Sequence, residues 1–265
     1  MKSGNIVILT GAGISAESGL QTFRAADGLW EGHKVEDVAT PQAFTRDPAL
    51  VHAFYDARRE RAVAVEPNAA HRALAELEAA WSGEFLLVTQ NVDALHERAG
   101  SHKLIHMHGE VNRGWCLACG ERFAWEGDML PHGAHHEPVK GTAPATDFER
   151  PFDKLRVSAA KATNMCSACG TEGNVRPDIV WFGEMPYEME RIKAALMDAD
   201  LFVSIGTSGA VYPAAGFVQT AKYRGARTLE INLEPSQGSI FFDERRFGPA
   251  TAEVPQWVAE LLPAN

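Results

Sequence analysis

Short runs of apolar residues recur along the chain, and each run ends at a polar or glycine-rich turn. They occupy residues 5–10, 85–89, 201–205 and 228–233. Runs of this length without helical spacing are typical of strands that are buried on both faces. Such strands belong to parallel sheets, because helices cover both sides of those sheets. We therefore predict a mostly parallel sheet with helices in the intervening segments.

Three intervening segments carry helix signals. Asp47 followed by Pro48 predicts an N-cap and a first helical residue, and the helix extends to about Val63. Asn68 predicts the cap of a second helix, and residues 213–223 fit a crossover helix. The predicted buried stripe of the first helix contains Leu50, Phe54 and Ala57, and the second helix carries Leu74 and Leu77.

Residues 113–174 interrupt this alternation, because they lack strong periodicity and include a stretch rich in Gly, Pro and His. Within one region spanning 1–265, we assign 1–33, 78–112 and 175–262 to a Rossmann-like domain. Residues 34–77 form a predicted helical module, and 113–174 form an inserted one.

The overall charge limits the choice of partner. A formal net charge of -10 and a pI of about 5.5 disfavour nucleic-acid binding, which needs clustered Lys and Arg. The apolar run from Ile6 to Leu9 reaches Gly11 too soon for a signal-peptide core or a membrane span. We expect a soluble, cytoplasmic protein that binds neither membrane nor nucleic acid directly.

All four cysteines lie in the inserted module, as two matching pairs. They are Cys116, Cys119, Cys166 and Cys169, and a glycine follows each pair. Four thiolates favour one closed, tetrahedral and structural zinc site, and the alternative is a set of buried inert thiols. His132, His135 and His136 lie between the pairs and are predicted to be solvated loop. The predicted fold is therefore α/β, a Rossmann-like parallel sheet domain with an inserted small zinc-binding module and a helical module.

The first strand leads into Gly11-x-Gly13-x-x-Ala16, a pattern typical of dinucleotide binding. Such a short pattern also fits an ordinary tight turn. Glu36 and Asp37 do not close a second strand, so the ribose anchor of a dehydrogenase is missing. Better candidates for adenosine contact end the later strands, at Asn232-Leu233-Glu234 and Gly206-Thr207-Ser208.

Six motifs in this order resemble those of the sirtuin family, and they span about residues 4 to 262. They are Gly11 to Gly19, Thr22-Phe23-Arg24, Thr89 to Asp93, His106-Met107-His108-Gly109-Glu110, the paired Cys-x-x-Cys and Gly206-Thr207-Ser208. The likeness is greatest to bacterial sirtuins of the class III type, which also remove succinyl and malonyl groups.

The resemblance implies an NAD-binding set drawn from four parts of the chain. It places Ala12, Ile14 and Phe23 near the nicotinamide and Arg24 near the phosphates. The implied set is Gly11, Ala12, Gly13, Ile14, Ser15, Ala16, Glu17, Phe23, Arg24, Gln90, Asn91, Asp93, Gly206, Thr207, Ser208, Asn232, Leu233, Glu234 and Ala250.

The resemblance also assigns the catalytic residues, His108 as general base together with Asn91. A neutral imidazole that titrates near pH 6.5 can accept a proton from a ribose hydroxyl. Without the family, a core or surface role would be the simpler interpretation of His108. His106 lies two residues earlier, would share a strand face with His108, and is the residue most easily mistaken for it.

Substrate contacts are implied at two places. Val180, Phe182 and Gly183 lie in a segment that resembles the one pairing with an extended substrate backbone. The alternative is a core strand with an exposed aromatic residue. Tyr55 and Arg58 share a helix face and resemble the pair that binds the distal carboxylate of a succinyl chain, whereas the alternative places Arg58 with Arg59 and Arg61 on a solvated face.

The implied activity is that of an NAD-dependent protein-lysine deacylase, a deacetylase and also a desuccinylase or demalonylase. NAD is a co-substrate, and the products are nicotinamide, O-acyl-ADP-ribose and free lysine. Partners are acyl-lysine proteins or peptides, and the chain is expected to be a monomer. The alternatives are a protein ADP-ribosyltransferase, a dehydrogenase and a zinc-ribbon DNA-binding module.

Overall fold

The computed structural model describes residues 4–21, 29–30, 33–125 and 165–262. Phe23 and Arg24, which are implied to bind NAD, lie outside these residues, as do the three histidines between the cysteine pairs. No helix within these described ranges is long and apolar enough to cross a membrane.

The described residues form strands and helices in alternation. The strands are β1 (Ile6–Thr10), β2 (Leu29–Trp30), β3 (His33–Lys34), β4 (Phe85–Thr89), β5 (Leu104–His106), β6 (Gly109–Cys116), β7 (Arg122–Ala124), β8 (Val175–Ile179), β9 (Leu201–Ile205), β10 (Arg227–Asn232) and β11 (Glu244–Phe247). The helices are α1 (Ala12–Ala16), α2 (Val35–Val38), α3 (Pro41–Arg46), α4 (Pro48–Ala64), α5 (Ala69–Ala80), α6 (Leu95–Ala99), α7 (Met189–Met197), α8 (Phe217–Tyr223) and α9 (Ala250–Leu261). Short 3-10 turns cover Ala214–Gly216 and Ser239–Phe241.

The central sheet has the strand order β11-β10-β9-β1-β4-β5. Every adjacent pair in it is parallel. Apolar side chains project from both faces of the sheet, because helices cover both faces. Ile6 and Ile8 pack with Leu74 of α5 and Trp257 of α9, whereas the alternate residues of β1 pack with α7 and α8. The predicted Rossmann-like sheet is confirmed.

The described residues fall into two compact units. One comprises 4–21, 61–110 and 185–262, and the other comprises 29–30, 33–60, 111–125 and 165–184. The second unit contains the three-stranded sheet β7-β6-β8, the β2-β3 hairpin and the cysteine pairs. This division differs from the boundaries drawn on sequence. Helix α5, assigned above to a helical module, packs on the central sheet because Leu74 and Leu77 are fully buried there.

Several local predictions can be compared with the structure. Asp47 caps α4 by accepting a hydrogen bond from Leu50 N at 3.0 Å, as predicted. The predicted stripe of α4 is wrong at Leu50 and Ala57, which are only half-buried, and Val51 and Tyr55 are buried instead. Helix α1 begins inside the glycine motif, at Ala12, and ends at Ala16.

Candidate active site

Polar and glycine residues collect at the carboxyl ends of neighbouring strands. Gly11 follows β1, Gln90 follows β4, Gly206 follows β9, and Asn232 ends β10. The chain runs from β1 to β4 and β5 on one side and then returns to β9, β10 and β11 on the other. Strands β1 and β9 therefore flank a topological switch point, the place where open parallel sheets bind ligands.

The glycine motif packs directly against the turn after β9. Gly13 N donates to the carbonyl oxygen of Gly206 at 2.8 Å. A Cβ atom on Gly13 would lie 2.7 Å from that oxygen, and one on Gly11 would lie 2.8 Å from it. Both distances are shorter than real Cβ contacts, so larger residues would force the two turns apart. Glycine is required here to bring the turns after β1 and β9 together.

Asn91, Ser15 and Asp93 form a buried hydrogen-bonded cluster at this edge. The Asn91 side-chain amide donates to Ser15 Oγ at 3.0 Å and to the carbonyl oxygen of Gly11 at 3.2 Å. Ser15 Oγ then donates to Asp93 Oδ2 at 3.2 Å. Three residues implied to bind NAD are thus brought together from two separate parts of the chain. Because each partner is buried and bonded, their orientations are fixed.

Behind this cluster lie polar residues whose contacts with the site the sequence interpretation missed, although it identified Asn68 as a helix cap. Asn68 Nδ2 donates to the carbonyl oxygen of Ile14 at 2.8 Å and to Ser18 Oγ at 3.0 Å. The His71 ring lies 3.4 Å from Ser15 Oγ and closes the cap of α5 with Asn68. Burial lowers the pKa of His71 to about 4, so the ring is neutral. The Asn68-x-x-His71 spacing of a capping box was the available signal.

His108 is half-buried in the turn after β5. Its Nδ1 lies 3.1 Å from the carbonyl oxygen of Gln90, and a carbonyl can only accept, so Nδ1 carries the proton. Burial lowers the pKa of His108, despite the opposing effect of the Gln90 carbonyl. A neutral ring protonated on Nδ1 has its lone pair on Nε2, which suits a general base.

His106 has different surroundings, although it lies only two residues away. Its Nδ1 is 3.0 Å from the Asn91 carbonyl oxygen, and its Nε2 is 2.6 Å from Glu97 Oε1. Burial disfavours the charged ring, but the hydrogen bond and charge of Glu97 outweigh it and raise the pKa of His106. Glu97, His106 and Glu110 have ligand atoms within 4.8 Å of one another, and the ion pair joins the first two.

The residues implied to hold the adenosine side lie around the ends of β9 and β10. Asn232 Nδ2 donates to the Thr207 carbonyl oxygen at 2.8 Å, and Gln90 Nε2 donates to Thr207 Oγ1 at 3.0 Å. Exposed residues at this edge are Ser208, Leu233 and Glu234. The exposed Glu17 carboxylate caps α9, which begins at Ala250, by accepting from Thr251 N at 3.0 Å. These contacts join the implied residues at one sheet edge.

The four cysteines converge in the second unit. The Cys116 and Cys169 sulfurs lie 3.8 Å apart, and those of Cys119 and Cys166 lie 3.7 Å apart. All four sulfurs lie within 4.8 Å of one another. A disulfide needs about 2.05 Å, whereas Zn–S bonds of about 2.3 Å place tetrahedral sulfurs about 3.8 Å apart. The donor set and its spacing therefore fit a structural zinc ion, as predicted.

The glycines after the cysteine pairs adopt the left-handed conformation that glycine takes most easily. Gly120 has φ 80° and Gly170 has φ 71°. Gly120 N donates to the Cys116 carbonyl oxygen and Gly170 N to that of Cys166, each at 2.8 Å. The two turns are therefore equivalent, and each directs two sulfurs toward one point.

Tyr55 and Arg58 lie one turn apart on α4 in the second unit. Tyr55 is fully buried, and its hydroxyl accepts a hydrogen bond from Trp181 Nε1 at 3.0 Å. Burial raises the pKa of Tyr55 far above its usual value, although the Arg58 charge opposes this, so the phenol stays protonated. The Arg58 guanidinium lies 5.9 Å from the centre of the Phe54 ring. A hydrogen-bond donor and a cation therefore occupy one face of the helix.

The alternative interpretation placed Arg58 on a solvated face together with Arg59 and Arg61. It is wrong for Arg59, which is 6% exposed. Arg59 forms an ion pair with Asp56 at 2.8 Å and donates to the Val111 carbonyl oxygen at 3.0 Å. Through these bonds, Arg59 holds α4 in place within its unit.

Val180, Phe182 and Gly183 lie in the loop after β8. The alternative of a core strand does not apply to them, because the strand ends at Ile179. Phe182 is 44% exposed, whereas the preceding Trp181 is buried. Trp181 N donates to Glu184 Oε2 at 2.8 Å, which fixes the bend of the loop. Pairing of this loop with a substrate backbone stays a prediction.

Comparison with known proteins gives a consistent result. Residues 11–213 match the Sir2 family. The NAD-dependent protein deacylase of Bdellovibrio bacteriovorus is 53% identical over 260 residues, which is 97% of this chain and 97% of that protein. The protein described here is therefore a member of the Sir2 family, the sirtuins.

Solved structures agree with this assignment. The crystal structure of a Sir2 homologue in complex with NAD has a TM-score of 0.76 and 36% identity, and the match covers 97% of this chain and 88% of that one. A Sir2 protein bound to an acetylated peptide has a TM-score of 0.73 and 26% identity, covering 96% and 92%. The family resemblance drawn from the motifs is confirmed.

Proposed function

We propose that this protein is an NAD-dependent protein-lysine deacylase that releases nicotinamide, O-acyl-ADP-ribose and free lysine. The observation that carries the proposal is the buried cluster of Asn91, Ser15 and Asp93 beside the neutral His108, at the switch point of the sheet. Membership of the Sir2 family and the 53% identical deacylase from Bdellovibrio support it. An ADP-ribosyltransferase would need the same cofactor, whereas the relative from Bdellovibrio is named a deacylase.

The residues at the sheet edge suit a dinucleotide. Gly11 and Gly13 keep the turns after β1 and β9 in contact, and the side chains of Gln90, Thr207 and Asn232 offer hydrogen bonds along that edge. These residues, with the rest of the implied set, would hold NAD. When bound, NAD supplies a ribose carbon from which nicotinamide departs and to which an acyl oxygen can bond. The Sir2 homologue solved with NAD supports this assignment.

His108 is assigned the proton transfer. Its Nδ1 proton is directed to the Gln90 carbonyl, which leaves Nε2 to take a proton from a ribose hydroxyl. Asn91 directs both side-chain amide hydrogens toward Ser15 and Gly11, so it can act on a ligand through its side-chain oxygen, Oδ1. Both groups are set in place before any substrate binds, which lowers the cost of reaching the reactive arrangement.

Tyr55 and Arg58 are assigned to the distal carboxylate of succinyl or malonyl groups. The buried phenol accepts from Trp181 and keeps its own proton. A guanidinium and a phenol together match a carboxylate in charge and in hydrogen bonds. The proposed enzyme therefore removes acidic acyl groups as well as acetyl groups, and Val180, Phe182 and Gly183 contact the peptide backbone.

The remaining assignments concern partners and place of action. Substrates are acyl-lysine proteins or peptides, in line with the Sir2 protein solved with an acetylated peptide. We propose that the enzyme acts as a monomer in the cytoplasm, with one structural zinc bound by the four cysteines. The acidic charge of -10 suits basic, lysine-rich substrates and does not suit nucleic acid.

A mass-spectrometric assay tests this function. The protein is incubated with NAD and with matched acetylated and succinylated peptides, and loss of each acyl group is followed together with nicotinamide release. Both peptides should be deacylated only when NAD is present. Transfer of ADP-ribose to protein without deacylation would favour the transferase, and a change in nicotinamide absorbance with reduction would favour a dehydrogenase.

A further inference from the structure

His106 and His108 each form a hydrogen bond to the backbone carbonyl of one of two consecutive residues. His108 Nδ1 lies 3.1 Å from the Gln90 carbonyl oxygen, and His106 Nδ1 lies 3.0 Å from that of Asn91. The paired carbonyls belong to the segment that follows β4. This arrangement anchors the backbone of Asn91 from one side, while its side chain is bonded to Ser15 from another.

The two rings differ in what their other nitrogen meets. His106 Nε2 lies 2.6 Å from Glu97 Oε1, so both nitrogens of His106 face oxygen acceptors. A neutral imidazole has a single N–H and can satisfy only one of them. The ring needs both protons, which makes it an imidazolium paired with a carboxylate. Only 10% of the His106 side chain is exposed, compared with 39% of the Glu97 side chain, so the imidazole side of the pair is shielded from solvent.

We propose that His106 is a positioning residue, held as an imidazolium by Glu97. The His106 ring fixes the backbone carbonyl of Asn91 and so keeps the Gln90–Asn91 segment in its active conformation. The inference rests on the proposed function, because Asn91 is assigned to the reaction there. His106 itself exchanges no proton with substrate. It differs from His108 in charge, although both lie in the same motif.

The charged groups around His106 come from two elements. Glu97 and His96 lie on α6, and Glu110 lies on β6. Burial disfavours the imidazolium, whereas Glu97, the Asn91 carbonyl and Glu110 raise its pKa above the usual value. His96 is fully buried, and burial and the charge of His106 both lower its pKa. His96 therefore stays neutral and adds no second cation.

The pKa shift sets the direction of the pH effect. Because the pKa of His106 is raised, the bond to Asn91 is complete at lower pH and weakens as pH rises through that raised pKa. Activity should therefore decline on the basic side as His106 loses its proton. Replacing Glu97 removes the main charge that raises the pKa, so the decline should begin at lower pH.

The test combines 15N NMR of the histidine rings with pH–rate profiles for the wild-type protein and Glu97→Gln. In the wild type, His106 should lose its second ring proton at a higher pH than an unperturbed histidine does, and the Asn91 amide signal should follow the same titration. In Glu97→Gln, both titrations and the basic limb of kcat should move to lower pH. The loss should reach about ten-fold on the basic limb and be small near pH 6.

Glu76→Gln is the matched control, because Glu76 is an exposed carboxylate on α5; its profile should equal that of the wild type. If Glu97→Gln fails to fold, His106→Gln replaces it and should remove the His106-linked limb. A neutral His106 ring at about pH 7, or a Glu97→Gln profile equal to that of Glu76→Gln, would overturn the inference. A wild-type protein inactive on every acyl peptide would instead contradict the proposed function. The NMR titration of Asn91 would still decide whether His106 positions that residue.

Discussion

The carboxyl edge of the sheet and the four-cysteine cluster both bring distant residues together, but by different means. At the sheet edge, strands β1 and β4 fix where Ser15 and Asn91 lie, and helices bury both faces of those strands. In the cysteine cluster the buried residues in contact are Cys116, Cys166 and Val175, with Phe123 and Trp125 packed against them. Apolar burial holds the first region, whereas the second has few buried apolar residues and four thiolates placed to bind one metal ion.

The difference teaches which changes each region tolerates. A site built on a large core can lose a reactive side chain and keep its fold, because most of its stability comes from apolar burial. A site with few apolar residues loses its organisation together with its ligand. Substitutions in the two regions should therefore separate activity from stability.

The largest effect is expected in the cysteine cluster. Cys166→Ser removes one of four thiolates, so zinc should be lost and the free energy of unfolding should fall by at least about 3 to 5 kcal/mol. Zinc content measured by mass spectrometry and thermal unfolding check this. Leu117→Ser, a change at an exposed residue of the same turn, is the control and should keep its zinc. A zinc-free Cys166→Ser protein as stable as wild type would contradict the structural role.

The next largest effect is on turnover and leaves the fold intact. His108→Tyr removes the proposed general base, so kcat should fall by about 10²- to 10⁴-fold, while the thermal unfolding midpoint stays close to wild type. Steady-state deacylation and calorimetry measure the two quantities. His102→Tyr changes an exposed histidine and should be active. Normal turnover by His108→Tyr would refute the base assignment.

A selective effect is expected at the acyl chain. Arg58→Met removes the proposed cation while keeping an unbranched side chain, so kcat/KM for a succinylated peptide should fall by about ten- to a hundred-fold. Deacetylation should be nearly unchanged. Parallel assays with both peptides measure the ratio. An equal loss of kcat/KM on both peptides would show that Arg58 supports the structure and does not bind the carboxylate.

The smallest effect is expected behind the active-site cluster. Asn68→Ala removes the cap of α5 and the bond to the Ile14 carbonyl, so stability should fall by about 1 kcal/mol. Asn68→Ser can still cap the helix and should lose less. Urea unfolding compares the two variants. If both were as stable as wild type, the buried bonds of Asn68 would contribute nothing measurable.

Much of the sheet and the caps could be predicted from sequence. Strands β4 and β9 have the predicted bounds, because uninterrupted apolar runs between turns leave little choice. Asp47 and Asn68 cap their helices as expected, since capping is a local interaction. The glycine and cysteine motifs also lie where the pattern placed them.

Other features depend on contacts that sequence does not display. The buried face of α4 includes His52, Asp56 and Arg59, so apolar spacing could not identify it. The bond between Tyr55 and Trp181 joins residues 126 apart in sequence. The distinction between His106 and His108 depends on Glu97, which a helix brings to one ring only. In each case a tertiary contact, and not the residue type, decides the role.

The most direct test of the account follows the acyl group itself. Peptides with an isotope-labelled acyl group are incubated with NAD, and the label is located by mass spectrometry. The account predicts that the label moves to ADP-ribose, in amounts equal to the nicotinamide and free lysine formed, and that His108→Tyr prevents this. Label released as free carboxylate, or retained on a peptide while ADP-ribose is attached to protein, would contradict it.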